Sequence, residues 1–404
     1  MGLLAIVIFL NFMDRGSLSI AAPLLKDELR LSPSQLGVLL SSFFWTYTVC
    51  QIPAGWIVDK FEVSWVLAIG FVIWSSATFI TGLVHGFAAL LAIRLILGIG
   101  ESVAYPSCWK ILARCFPEHH RGFANAVVQA GQAAGPAVST FAGGLLIGKF
   151  GWRPFFMVLG VASLFWLIPW FRWMPRQQLP VDDAQINGHH AGIREVLKHR
   201  SAWGTCVANF CVNWSLYLLL TWLPFYLVHE RHFSMLGTAK IGGAAFLLKA
   251  TSSLSSGWFS DAWIATGASP TLVRKTCLCV GFIASSFLFL MSAAVAAPIA
   301  SVVLLLMGSV CFGFLSPHGP AIIQTLAGPQ LTGTWSGLVL FVANFAGILA
   351  PMITGFIVDR TGHFFWAFGL AAAFAWVGAA SYLLLVGPIE QVVWSVQKET
   401  EVVA

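Results

Sequence analysis

Twelve apolar stretches, each long enough to cross a bilayer, follow one another along the chain, and that repetition leaves few folds open. A helix needs about 20 apolar residues to span the hydrocarbon core. The windows fall at 2–25, 34–58, 65–84, 86–115, 121–148 and 153–173, then at 201–228, 237–262, 273–293, 297–326, 332–358 and 364–387. Hydrophobic residues make up 58% of the 404 and charged residues 9%, against about 25% charged in soluble domains. The expected fold is an all-α membrane protein of twelve transmembrane helices in two six-helix bundles. The expected units are an N-terminal bundle over 1–175, a cytoplasmic linker over 176–200, a C-terminal bundle over 201–390 and a cytoplasmic tail over 391–404.

An internal repeat supports the division. Gly55-Trp56-Ile57-Val58-Asp59 ends the second window and Gly257-Trp258-Phe259-Ser260-Asp261 ends the eighth, 202 residues later. A third copy, Gly355 to Arg360, ends the eleventh. Matching motifs in windows two and eight imply two parallel six-helix repeats, an arrangement in which the halves rock around a midplane site. With the N-terminus inside, the inner loops hold Lys60, Arg114, Arg121, Arg172, Arg176, Arg194, Lys198, Arg200, Arg274, Lys275 and Lys398. The outer loops hold Lys26, Arg30, Lys149, Arg153, Arg231, Lys240 and Arg360. Positive residues favour the cytoplasmic side, so both termini are expected there, in a cell inner (plasma) membrane. The net charge of +6 fits this bias and comes with no basic, aromatic-interleaved stripe for nucleic acid. Met1 to Phe12 lacks a basic leader and reads as a spanning helix; its abrupt start implies that a short cytoplasmic tail is missing. The eight cysteines form no CxxC pair and read as small apolar side chains, with no metal site and no cofactor implied.

Charges inside these windows are the candidates for function, because an ionisable group at membrane depth is costly and marks a pathway or a pair. Arg94 and Glu101 lie two helical turns apart on one face of the fourth window. They serve either as a structural ion pair or as a proton-linked switch. A carboxylate beside an arginine stays ionised, and losing that partner in a dry site raises its proton affinity. Asp14 and Arg15 interrupt the first window. Arg15 shares a face with Asn11, and its planar guanidinium suits a carboxylate. Asp14 is either a proton site or a neutraliser of a neighbouring arginine.

Hydroxyls and amides supply a second set: Tyr47 and Gln51, Tyr105, Gln132, Asn344, and the stripe Asn209, Asn213 and Tyr217. Converging on a cavity, they would bind a polyhydroxylated ligand; apart, they would link helices. Lys249 lies deep in the eighth window, either as a second cationic contact for a dianion or as a snorkelling or paired lysine. His318, after Pro317, reads as a bend or packing feature. Gly131, Gly135, Ser139 and Gly143 recur every four residues, a close-packing face. The tryptophans read as interfacial anchors.

Several motifs in order resemble the major facilitator superfamily, and within it the anion:cation symporter family. They are Asn11-x2-Asp14-Arg15, Tyr47-x2-Cys50-Gln51-Ile52-Pro53-x-Gly55-Trp56, Arg94-x3-Gly98-x2-Glu101-x3-Tyr105-Pro106, Phe116-Pro117-Glu118-x2-Arg121, Gln132 and Asn344-Phe345-Ala346-Gly347. That family includes bacterial galactonate, glucarate and hexuronate transporters and the animal vesicular glutamate and sialin carriers. The resemblance implies Arg15 as the anchor for a substrate carboxylate, with Tyr47, Tyr105, Gln132, Asn213, Asn344 and Lys249 around the substrate. It implies Asp14, Arg94 and Glu101 in proton coupling and Gly55, Asp59, Lys60 and Asp261 in gating. The loop after the second window departs from the superfamily, with Glu62 where glycine is usual and Ser64 near the usual basic position, which implies a weaker gate network.

The expected function is secondary active transport of an organic anion, a sugar acid such as a hexonate, hexuronate or aldarate, together with protons. Na⁺ stays open beside H⁺, and a monomer is the family's default. A cation- or drug-exporting relative would want unpaired acids, against which Arg15 and Arg94 stand. A non-transporting receptor has no use for duplicated gate motifs. An enzyme would need machinery such as HExxH, GxSxG or a P-loop, none of which is present.

Overall fold

The computed structural model describes residues 1–30, 33–139, 143–173, 193–392 and 394. Among these residues every regular element is helical. The first half consists of α1 Gly2–Glu28, α2 Pro33–Lys60, α3 Val63–Thr81, α4 Phe87–Cys115, α5 Glu118–Val138 (resuming over Gly144–Phe150) and α6 Trp152–Trp173. A short helix, Ile193–Lys198, precedes the second half. Most of the predicted linker, and the tail beyond Trp394, lie outside the described residues, as does the side chain of Asp359 in the third motif copy. The second half opens with α7 Arg200–Phe225, which closes in a π-turn at Tyr226–Glu230, then α8 Met235–Ala265 and α9 Pro270–Ala294. Pro298–Leu315 and His318–Thr361 follow. Gly328 breaks the latter at φ 63, ψ 175, so α10 covers 298–327 and α11 covers 329–361, before α12 Phe365–Leu384. Seven described stretches are long and apolar enough to cross a membrane on their own, one of them, Pro298–Val358, running through α10 and α11.

Local chemistry sets these boundaries. Ser234 and Ser269 cap α8 and α9 by accepting from the backbone N–H of Gly237 and Leu272, which satisfies otherwise orphaned donors. Gly328 reaches the left-handed region that separates α10 from α11, and Pro329 then starts α11 with its fixed φ. Gly362 (φ 71) ends α11. Within α4 the helix loosens at Ser102–Val103, because the ring of Pro106 removes the N–H that would bond the Ser102 carbonyl and crowds that carbonyl. Pro320 stands in the same relation to Ser316, where α10 loosens as well.

The two halves repeat each other in register. A shift of 202 residues carries Gly55 to Gly257 and Asp59 to Asp261, and also Arg30 to His232, the two non-glycine residues with positive φ (50 and 59) among the described residues. An outer layer of α3, α6, α9 and α12 exposes large apolar side chains such as Ile69, Phe165, Ile283 and Trp376, as lipid contact requires. At the end of the N-terminal half opposite Asp59, Trp152 Nε1 and Arg153 Nε donate to Glu28 at 2.5 and 2.9 Å. These two bonds hold the Glu28 carboxyl below the usual carboxylate range.

Helix packing without a hydrophobic drive depends on close backbone approach. A Cβ on Gly131 would strike the carbonyl of Ala5, and one on Gly135 that of Phe9, so α5 lies directly on α1. Ser139 extends the same face by a hydrogen bond to Ser17 at 3.1 Å. Because the obstruction is backbone, Gly135→Leu is expected to destabilise the fold by roughly 1–3 kcal/mol or more. Gly242→Ala, where a Cβ meets open space, serves as control. Thermal unfolding in detergent checks this, and equal melting of both variants would contradict the packing assignment.

Candidate functional site

A cavity between the helices receives side chains from both halves. Arg15 comes from α1, Tyr47 from α2, Tyr105 from α4, Gln132 from α5, Asn213 from α7, Lys249 from α8 and Asn344 from α11. Residues from seven helices thus share one wall. Asn209 and Tyr217 join them, as do Trp109, Gln129 and Tyr382, which the sequence reading did not single out. Gln51 is buried away from this wall.

Arg15 sits in an aromatic cage. Its guanidinium carbon lies 4.6, 5.0 and 4.3 Å from the ring centroids of Phe12, Phe43 and Tyr47, a setting suited to a planar, weakly hydrated cation. Nε donates to Glu101 Oε2 at 2.9 Å. Nη2 has no partner among the described residues, so the arginine fork is only partly used.

Behind this wall lies a dry charged cluster. Asp14, Arg94 and Glu101 are all buried and within electrostatic reach of one another and of Arg15. Thr78 stands beside Asp14 and Asn11 beside Glu101. Among the described residues, both Asp14 oxygens, Glu101 Oε1 and Arg94 Nε lack a close hydrogen-bond partner. Stability alone does not explain such a cluster, since an incompletely paired buried charge is destabilising. Of the two readings of Arg94 and Glu101, a direct ion pair between them is not formed: Glu101 bonds across to Arg15, while the Arg94 guanidinium lies 5.4 Å from the Phe43 ring centroid. The α4 helix ends its regular run immediately after Glu101, which turns that carboxylate toward α1.

The amides suit hydroxyl groups. Asn209, Asn213 and Asn344 each donate Nδ2 to the carbonyl four residues earlier, at 2.9, 3.0 and 2.7 Å. Their Oδ1 atoms are left as acceptors, and that of Asn344 takes the Tyr217 hydroxyl at 3.3 Å. His318 Nε2 pairs with Ser256 Oγ at 2.8 Å, a contact between α10 and α8 rather than part of the cavity wall.

About 18 Å along α2 and α8 from Tyr47 and Lys249, twelve residues in each case, Asp59 and Asp261 join the halves. Asp59 accepts the N–H groups of Gly333 and Thr334 at 3.0 and 2.5 Å. Asp261 accepts those of Gly122 and Phe123 at 3.0 and 2.7 Å. Each carboxylate thus meets the first turns of a helix from the other half, where the helix dipole favours negative charge. Glycine at 122 and 333 makes the approach possible, because a Cβ there would collide with the carboxylate. Gly55 packs on Gly333, and Gly257 on Gly122.

The cation at this end is corrected. Lys60 is exposed and lies 4.6 Å from the centroid of Trp56. Lys110, which the sequence reading missed, donates to Asp59 at 2.9 Å and to the Val58 carbonyl at 2.8 Å. A further network was also missed. Glu118 binds Arg274 at 2.8 Å, Arg121 at 3.1 Å and the Thr325 hydroxyl. Asn125 and Gln324 exchange two amide hydrogen bonds, at 2.8 and 3.1 Å. Gly122 and Gly333 stand at equal distances from the starts of α5 and α11, a match that becomes visible once the helix boundaries are known.

Comparison with known proteins places the chain in a family. The sequence model of the Major Facilitator Superfamily matches residues 4–351. A "probable galactarate/D-glucarate transporter" of Bacillus subtilis is 28% identical over 98% of this chain and 93% of its own length. A hexuronate transporter of the same organism is 31% identical over 94% and 92%. The crystal structure of the Escherichia coli fucose:proton symporter superposes with a TM-score of 0.74 at 16% identity, covering 94% of this chain and 97% of that one. The chain belongs to the Major Facilitator Superfamily.

Proposed function

We propose that this protein is a proton-coupled symporter of a sugar acid, a hexonate, hexuronate or aldarate, working by alternating access. The observation that carries this reading is Arg15, caged by aromatic rings on the cavity wall and held by a buried carboxylate that a substrate carboxylate can replace. Relatives named for galactarate, glucarate and hexuronate transport support it. In this scheme Arg15 anchors the substrate carboxylate. Tyr47, Tyr105, Gln132, Asn213 and Asn344 bind hydroxyls. Glu101 and Asp14 carry the proton, with Arg94 setting their local charge.

The gate consists of Gly55, Asp59 and Asp261, with Lys110 in the place expected for Lys60 and with Glu118 and Arg274 added. Residues 1–175 and 201–390 move as the two units. The termini face the cytoplasm of a cell whose inner membrane holds the protein as a monomer, and the gate then closes the cytoplasmic end.

Uptake into proteoliposomes tests the scheme. With the interior alkaline, labelled D-gluconate or D-glucarate is expected to accumulate, and an uncoupler to collapse the accumulation. Uptake that follows a Na⁺ gradient at equal pH would replace the proton in this reading. No uptake of either acid would remove the sugar acid from it.

A further inference from the structure

Lys249 is the one cavity cation without a counter-charge among the described residues, and the repeat shows how unusual its place is. The 202-residue shift that aligns the gate motifs carries Tyr47 to Lys249 and Arg15 to Tyr217. The 211-residue shift that carries Gly122 to Gly333 also carries Glu101 to Phe312. The N-terminal half therefore presents cation, ring and carboxylate as Arg15, Tyr47 and Glu101. The C-terminal half answers with ring, cation and ring as Tyr217, Lys249 and Phe312. The cation has changed helices, and its carboxylate has become a phenyl ring.

Lys249 is buried on the cavity wall, with Nζ 5.3 Å from the Phe312 centroid. No carboxylate lies within ion-pair distance of it among the described residues. Away from the main cavity it borders a pocket lined by Leu216, Leu219, Leu223, Ala245, Phe246 and Phe312, with Ser309 as the polar exception. At about 18 Å from the gate end of α8, its stem is too short to reach the membrane surface. An unpaired ammonium in such a place calls for an anion.

We infer that Lys249 is a specificity-determining residue that binds the second acid group of a dianionic sugar acid whose first carboxylate is held by Arg15. This rests on the sugar-acid reading above and narrows it from sugar acids in general to diacids. Charge balance agrees. With Asp14 and Glu101 ionised, Arg15, Arg94 and Lys249 leave one positive charge in excess. A dianion together with one proton on either acid makes the loaded site neutral, whereas a monoanion with a proton leaves it charged. Carrying net charge through a low-dielectric protein is costly, so the neutral load is the one favoured for coupled transport.

The test compares D-glucarate with D-gluconate, which differ in having a carboxylate or a hydroxymethyl at C6. Dissociation constants are measured calorimetrically on the full chain in detergent at one pH and ionic strength. The wild type is expected to prefer glucarate at least about tenfold. Lys249→Met is expected to reduce the gluconate-to-glucarate ratio of Kd values about tenfold to a hundredfold, or 1.4–2.8 kcal/mol. Lys249→Arg, which keeps the charge, is expected to retain most of the preference.

Equal affinities in the wild type would overturn the inference without any variant, so it remains testable if Lys249→Met fails to fold. A folded Lys249→Met with an unchanged ratio would overturn it too and make the lysine structural. Wild type that binds gluconate alone would leave the sugar-acid reading standing and sink this one. Binding of neither acid would remove both.

Discussion

Arg15→Lys is expected to weaken sugar-acid binding by at least about a hundredfold, a loss of about 2.8 kcal/mol, while the protein still folds. Lysine preserves the charge opposite Glu101 but loses the planar fork that can hold Glu101 through Nε and a substrate carboxylate through the terminal nitrogens. It also fits the cage of Phe12, Phe43 and Tyr47 less well. Arg15→Ala is a poorer probe. It strands the Glu101 carboxylate in a dry site, and breaking a buried pair from one side costs about 3–5 kcal/mol. Adding Glu101→Gln to Arg15→Ala removes that penalty, so the double variant should recover stability without recovering binding. Near-normal affinity in Arg15→Lys would take the anchor role from this residue.

Glu101→Gln is expected to separate binding from coupling. The amide mimics the protonated acid and frees Arg15 from its internal partner, so substrate should bind and exchange across the membrane. Accumulation should vanish, because the variant cannot release and regain a proton in each cycle. With no membrane potential, coupling of one proton yields about tenfold accumulation per pH unit, and the variant should fall to no accumulation at all. Counterflow and pH-driven uptake in the same proteoliposomes read both outcomes. Uphill uptake by Glu101→Gln would move the proton to another group, with Asp14 the next to test. Loss of counterflow as well would make Glu101 a structural support of Arg15.

These two experiments depend on a connection that spacing along α4 could not supply. Arg94 and Glu101 occupy one helical face, and a helical wheel pairs them. The bond of Glu101 goes instead to Arg15, 86 residues away. A helical period tells which residues share a face, and says nothing about which helix that face meets. Pro106 adds to this by ending the regular turn beside Glu101.

Lys60 and Lys110 show the same limit at the gate. Lys60 is adjacent to Asp59, yet successive helical residues point about 100° apart, so Lys60 lies against Trp56 while Lys110 arrives from α4.

The twelve spans, their two-fold repeat and many of the polar residues of the cavity wall, though not Gln129 or Tyr382, were readable from the chain alone. Each rests on a rule that acts within a segment: a span needs about 20 apolar residues, a polar residue inside one is costly, and a repeated motif repeats its place. Tertiary structure alone decided the pairings: Arg15 with Glu101, Lys110 with Asp59, Glu118 with Arg274, and Lys249 with no carboxylate in ion-pair reach among the described residues. Those depend on which helices the small residues at Gly55, Gly131, Gly135 and Gly257 allow into backbone contact, and close packing of that kind is a property of two surfaces together.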